Sequence, residues 1–238
     1  MKKIISFIPN LLTLCNLTCG LFAIIFAFGG NFTLSFYMII IAAVFDFMDG
    51  FAARLLNARS EIGLQLDSLS DVVSFGVAPA LVTMLSVSVH FFTLEYSYIA
   101  YVCLLLAPFA AYRLAVFNVD TTQSEEFKGL PTPAMALLMA SLSAFIIPLI
   151  PATLIWLSSV AALSLAISIL MVSRIPMFSF KFKNFSLKQN LVRYCFAITS
   201  VITVVICGVE IGVGVIIFLY ICTSIVLSLL QKGQKAEN

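Results

Sequence analysis

The sequence predicts an all-α membrane protein: a polytopic bundle of about eight transmembrane helices with both termini in the cytoplasm. Three observations carry that expectation. Hydrophobic residues make up 62% of the 238-residue chain and charged residues 10%, with a mean hydropathy of +1.12, whereas soluble domains run near 45–50% apolar and about 25% charged. The apolar residues fall in successive windows of about the 20 residues that a bilayer crossing needs. The basic residues, finally, crowd into alternate connections between those windows.

In chain order, apolar windows bounded by polar, glycine or proline breaks predict spans near residues 11–29, 33–56, 70–90, 96–118, 132–148, 152–173, 190–208 and 210–230. The start, Met1 to Ile8, has two lysines before an apolar run and resembles a signal peptide in outline. The run continues through Asn16, Thr18 and Gly20, however, and reads as a retained first helix. Breaks at Gly29-Gly30-Asn31, Val87 to Tyr96, Pro148 to Pro151 and Gly208 to Gly212 form one set of connections. Residues 57–69, 119–131, 174–189 and the termini form the other. All thirteen Lys and Arg lie on or beside this second set, and the first carries only His90, Glu95 and Glu210. The positive-inside rule therefore puts the second set and both termini in the cytoplasm.

The whole chain, 1–238, reads as a single integral membrane domain, with no room for a soluble one and no nucleic-acid partner expected. Its six cysteines, at 15, 19, 103, 195, 207 and 222, form no C-x-x-C pair and read as small apolar residues rather than a zinc site or disulfide framework. His90, the lone histidine, falls on the opposite side from Asp46, Asp49, Asp67 and Asp71 and is given no role. The stretch from Arg174 to Lys188 interleaves lysines with phenylalanines. It reads as an ordinary positive-inside loop with aromatic anchors, or as a surface attracting anionic lipid headgroups at about 1 kcal/mol per basic residue.

Against this background four aspartates stand out, Asp46, Asp49, Asp67 and Asp71. A carboxylate at mid-bilayer depth costs about 2.5–3.5 kcal/mol on the insertion scale, so four need a compensating charge or a wet cavity. Asp46 and Asp49 share a face at the cytoplasmic end of the second span, and Asp67 and Asp71 lie four apart at the start of the third. A turn containing Ser60 and Gly63 would bring the pairs together. Four hard oxygen donors with no nearby His or Cys select Mg²⁺ or Mn²⁺, with Ca²⁺ able to bind, over zinc. Two such ions about 3.5–4 Å apart suit transfer at phosphorus. Gly50 and Ala53 leave space beside the carboxylates, and Arg54 offers a fork for phosphate oxygens. A divalent-ion transporter is the competing reading, although transporters tend to place carboxylates at the midplane on broken helices.

The pattern D-x2-D-G-x2-A-R-x8-G-x3-D-x3-D, met by Asp46, Asp49, Gly50, Ala53, Arg54, Gly63, Asp67 and Asp71, resembles the signature of the CDP-alcohol phosphatidyltransferases. The resemblance implies displacement of CMP from a CDP-linked lipid by the hydroxyl of a small alcohol. It implies that Asp46, Asp49, Asp67 and Asp71 hold two divalent ions on the pyrophosphate and that Asp71 is the base that takes the acceptor's proton. It further implies that Gly50, Ala53, Arg54 and Gly63 receive the CDP-lipid, and that Asn10 and Thr13, in a P-N-x2-T pattern, reach the nucleotide or phosphate from the first helix. As plain polar residues the last two could equally be helix caps.

Further stretches, Ile8 to Asn16, Ser74 to Ala80, Tyr112 to Asn118, Phe127 to Ala134 and Ser173 to Lys181, are similar to the membrane-embedded serine-specific members of that family. On that likeness the substrates are CDP-diacylglycerol and L-serine, within the membrane lipid of a prokaryotic cell membrane, and a homodimer is implied. Glycerol 3-phosphate or inositol phosphate are the alternative acceptors. Arg113, Asn118 and Lys128 are the candidate acceptor-binding residues, with helix-end snorkelling as the plain reading of Arg113. Val116 departs from the family's R-L-A-R/K-F-N pattern, so any role of a second basic residue there is absent or relocated. Pro131 and Pro133 read as a helix-starting turn.

Overall fold

A computed structural model describes residues 7–58, 60–119, 127–177 and 187–236. The lysine- and phenylalanine-rich residues 178–186, with Lys2, Lys3 and Arg59, lie outside the described residues. Helix α1 spans Phe7–Phe28 and α2 Phe32–Leu55, with Asn31 capping α2 by accepting from the Leu34 amide at 3.0 Å. Helix α3, Glu61–Asp71, runs through a π-helical segment, Val72–Val77, into α4, Ala78–His90. A 3₁₀ stretch, Ser97–Leu105, leads into α5, Leu106–Val119. Helix α6, Thr132–Ser141, begins behind Pro131, and α7 covers Leu154–Val172. Strands β1, Phe127–Lys128, and β2, Pro176–Met177, form a two-residue antiparallel ladder, and α8 covers Leu187–Ala236.

Among the described residues seven helical stretches are long and apolar enough to cross a membrane, one fewer than the eight spans expected from the windows. The difference lies in α8. Fifty residues of straight helix would extend about 75 Å, against a hydrocarbon core of about 30 Å. Gly208 takes φ +74°, and a Cβ on Gly212 would sit 3.3 Å from the Cα of Val204. The rings of Phe196 and Tyr220 lie 6.3 Å apart, where 24 residues of unbroken helix would separate them by about 36 Å. Helix α8 is thus a hairpin folded at Gly208, and its two arms make two passes.

Small residues set the close packing. Ala23, Ala27 and Ala42 are fully or almost fully buried between α1 and α2, with Phe36, Ile39 and Phe75 closing the same cluster. Backbones in lipid approach where side chains are small, because packing rather than hydrophobic burial drives helix association there. A second cluster joins Leu106, Ala110, Leu130, Met135, Met139 and Met171 to Ile217 and Ile221 of the inner arm of α8. Large apolar side chains such as Phe47, Ile155 and Val205 face outward, as a lipid-bathed surface requires.

The β1–β2 ladder pairs Phe127 with Met177 and Lys128 with Pro176. Gly129 continues it, its amide donating to the Ile175 carbonyl at 2.9 Å with φ +75°. A Cβ there would collide with the Met171 carbonyl oxygen. Gly129→Ala should therefore cost at least the roughly 1–3 kcal/mol of a left-handed non-glycine residue, read as a lowered Tm in detergent. An unchanged Tm would show that this connection is not held in the fold.

Candidate active site

The aspartates meet where α2 ends and α3 begins. Leu56 continues the hydrogen bonding of α2, and Asn57 at φ +47° turns the chain out of the helix. Ser60 then caps α3 by accepting from the Gly63 amide at 3.0 Å. Gly63 lies in the first turn of α3, not in the connecting turn as the sequence suggested. Its missing side chain is still used, since a Cβ would come within 3.0 Å of Asn10 Oδ1. Helix α1 lies against both of its neighbours at this level.

Carboxylate oxygens of Asp46, Asp49 and Asp67 lie within 4.8 Å of one another. Asp49 and Asp71 are buried, and Asp46 and Asp67 are half-buried. Asp67 Oδ1 is buried with no hydrogen-bond partner. Convergent hard oxygens with one buried oxygen unpartnered fit a divalent cation, because a buried charge otherwise stays uncompensated. Asp71 stands one turn further along α3, within electrostatic reach of the other three.

Two residues of α1 hold the carboxylates. Thr13 Oγ1 lies 2.6 Å from Asp49 Oδ2 and 3.0 Å from the Pro9 carbonyl, and its single proton is best placed on the closer, charged oxygen. Asn16 Nδ2 donates to Asp71 Oδ1 at 3.1 Å. Since α1 already begins at Phe7, Asn10 and Thr13 lie inside the helix and are not caps. Asn16 was missed from the sequence; its three-residue spacing from Thr13 on one helical face was the available signal.

Gly50 and Ala53 lie on the α2 face beside these groups, both half-buried. Arg54 is exposed and folds back, its Nε donating to the Gly50 carbonyl at 2.9 Å. Arg54 Nη2 lies 3.7 Å from where a Cβ on Gly50 would stand, an ordinary contact distance.

A cavity of about 370 Å³ opens between the end of α5 and the end of α7, lined by Tyr112, Arg113, Val116, Phe117, Lys128, Met171, Val172, Ser173 and Arg174. Two of the three candidate acceptor residues, Arg113 and Lys128, meet there. Arg113 Nη1 is 3.5 Å from Thr132 Oγ1, its Nε is buried without a partner among the described residues, and its guanidinium lies within electrostatic reach of Asp71. The third, Asn118, is not among the lining residues. It instead donates from Nδ2 to Ser68 Oγ at 2.7 Å, tying the end of α5 to the helix that bears Asp67. Arg174, which sequence reasoning counted only as a loop charge, stands on the same wall as Val116.

The sequence model of the CDP-alcohol phosphatidyltransferases matches residues 6–172. The chain belongs to that family. It is 38% identical over 133 residues to the CDP-diacylglycerol–serine O-phosphatidyltransferase of Helicobacter pylori strain J99, covering 55% of this chain and 54% of that protein. The identity is 35% over 177 residues to the Bacillus subtilis protein of the same name, covering 74% of this chain and 92% of that one. With the archaetidylserine synthase of Methanothermobacter thermautotrophicus it is 36% over 185 residues, 73% of this chain and 71% of that protein. The matched part spans about half the length of the Helicobacter relatives.

The bond from Thr13 constrains a carboxylate that a cation would share. Thr13→Ala should weaken divalent-ion affinity about 10–100-fold, the usual effect of removing a group that orients a metal ligand. The concentration of Mg²⁺ or Mn²⁺ giving half-maximal thermal stabilisation reads this directly. An unchanged midpoint would mean that Asp49 needs no such support.

Proposed function

We propose that this protein transfers a phosphatidyl group from CDP-diacylglycerol to the hydroxyl of L-serine, releasing CMP and forming phosphatidylserine. The observation that carries the reading is the convergence of the signature aspartates in a chain that also holds a cavity lined by Arg113, Lys128 and Arg174, the first of them within electrostatic reach of Asp71. The names of the relatives favour serine among the acceptors, with archaetidylserine synthase extending the same acceptor to another lipid donor. Serine brings a carboxylate that suits a cationic wall, and its small size suits a cavity of about 370 Å³. Glycerol 3-phosphate or inositol phosphate would use the same cations for a phosphate.

Asp46, Asp49, Asp67 and Asp71 would hold two divalent ions, Mg²⁺ or Mn²⁺. When bound, these ions would neutralise the pyrophosphate and stabilise charge at the transferring phosphorus. Gly50 and Ala53 leave room for the nucleotide, and Arg54, released from the Gly50 carbonyl, can reach a phosphate. Gly63 and Asn10 close the opposite edge. Asp71 accepts the proton as the serine oxygen bonds to the phosphatidyl phosphorus. The bond from that phosphorus to the bridging pyrophosphate oxygen breaks, and CMP leaves with the electron pair. Holding the hydroxyl, base and phosphorus in line supplies most of the rate enhancement. The segregation of basic residues to this end of the bundle supports an active site facing the cytoplasm, and family likeness supports a homodimer.

Purified protein given CDP-diacylglycerol, Mg²⁺ or Mn²⁺ and labelled serine should release CMP and label lipid in equal amounts, and EDTA should stop both. CMP release that requires glycerol 3-phosphate or inositol phosphate in place of serine would overturn the acceptor assignment alone. Metal flux without nucleotide dependence would favour the transporter reading. Asp71→Asn should lower turnover about 10²–10⁴-fold, the range of a lost general base, while retaining metal and CDP-lipid binding; Asp46→Asn should lose binding as well.

The cavity yields a separate expectation. Arg174→Ala should raise KM for serine about tenfold or more while leaving KM for CDP-diacylglycerol near its original value, consistent with loss of a charge-assisted hydrogen bond worth about 1.5–3 kcal/mol. Equal rises in both constants would place Arg174 outside the acceptor site.

A further inference from the structure

Asn16 is fully buried in α1, one turn beyond Thr13. Its Nδ2 donates to Asp71 Oδ1 at 3.1 Å, while its own Oδ1 is buried with no partner among the described residues. Its main chain is fixed to the same neighbour, since Ser74 Oγ donates to the Asn16 carbonyl at 3.0 Å. Ser74 belongs to the π-helical segment that begins directly after Asp71. That segment lies tightly on α1 because residue 20 is glycine: a Cβ there would stand 2.5 Å from Ser74 Oγ and 2.8 Å from Ser74 Cα. Three contacts thus lock this turn of α1 to the turn that carries Asp71.

A buried amide with its carbonyl unpaired is a poor choice for stability, since the unmatched oxygen was well solvated in the unfolded chain. An apolar side chain would avoid that defect. What the amide alone supplies is the N–H to Asp71. With Oδ1 held, the carboxylate is fixed in rotation, and Oδ2 is the oxygen left to meet a proton. The neighbouring π segment has the irregularity often found at functional sites, and here it re-aims the helix just beyond the carboxylate.

We propose that Asn16 is a positioning residue for Asp71, fixing the carboxylate rotamer so that its second oxygen faces the acceptor hydroxyl. The inference rests on the reading of Asp71 as the base. Asn16 itself touches neither substrate nor reacting atoms. Its effect therefore falls on turnover rather than on donor binding, because a misoriented base leaves the CDP-lipid contacts in place.

The test uses the full-length metal-loaded enzyme with Asn16→Ala and the γ-branched Asn16→Leu, each measured for kcat, for KM of CDP-diacylglycerol, for the activating Mg²⁺ concentration and for Tm. Turnover should fall about 10²-fold, the scale of a small misplacement of a catalytic group, with the donor KM and the Mg²⁺ midpoint within about twofold of wild type and Tm within a few degrees of it or higher. Placing Asn16→Ala in an Asp71→Asn background should add no further loss, because the residue acts only through the carboxylate. Wild-type kcat in either folded single variant overturns the proposal, as does a loss that multiplies in the double variant or one accompanied by an equal rise in donor KM. If Asp71→Asn alone keeps near wild-type turnover, the base assignment itself fails; if Asp71→Asn is crippled and the Asn16 variants are not, only the positioning role fails.

Discussion

Mutual repulsion among four carboxylates is the constraint to which the rest of this structure answers. Oxygens of Asp46, Asp49 and Asp67 converge within 4.8 Å, and like charges at such distances in a poorly solvated site repel by several kcal/mol. No single helix could place them so. Asp46 and Asp49 come from the end of α2, Asp67 and Asp71 from α3, and α1 supplies one hydrogen-bond donor to each pair, Thr13 to Asp49 and Asn16 to Asp71. The first helix is therefore part of the site, although it contributes no acidic group.

That role sets the packing of α1. Thr13, Asn16 and Gly20 lie on one face, and Ala23 and Ala27 extend it toward the other end of the bundle. Each is small or polar, and the stripe lets neighbours come close: a Cβ on Gly20 would stand 2.8 Å from Ser74 Cα, and Ser35 Oγ donates to the Ala23 carbonyl at 2.9 Å. A bulky apolar residue along this stripe would push α1 outward and draw both donors away from their carboxylates. The packing of small residues and the hydrogen bonds to the aspartates are thus one device.

The aspartate segment was legible in the sequence because its chemistry is local: eight positions at fixed spacing within 26 residues, in a chain with only eleven acidic residues in all. The spans were legible because bilayer thickness fixes their length. Hydropathy windows marked the break at Gly208, which helical geometry alone conceals within α8. The cavity was only half legible. Arg113 and Lys128 lie near each other in sequence, but Arg174 reaches them beside the β1–β2 ladder, a pairing of Phe127 with Met177 and Lys128 with Pro176 that no periodicity announces. Asn118 was misread for the converse reason, since a polar residue at a helix end can turn to either neighbour, and it chose Ser68. The turn between α2 and α3 was also drawn one element too long, because Ser60 caps a helix that already contains Gly63.

The hairpin of α8 lies beyond the family-matched residues 6–172, yet its inner arm is built into their core. Ile217 and Ile221 pack with Leu130 and Met171, the residues that flank Gly129 and the cavity. Gly214 brings the arm against Ser141, whose Oγ donates to the Glu210 carbonyl at 2.7 Å, and Tyr37 of α2 donates to the Glu210 side chain at 2.7 Å. The arm is thereby tied to α2 and α6 at the end away from the aspartates, and it braces the cavity wall at the other. Its partner arm has Ile198, Val201, Val205 and Ile206 exposed and supplies little to that core. Reversal at Gly208 lets an extension of about 50 residues add a wall behind the cationic cavity without exceeding the thickness of the bilayer. The matched domain supplies the aspartates, Arg113 and Lys128, Arg174 follows just beyond it, and the extension helps to hold the surface on which the cations converge.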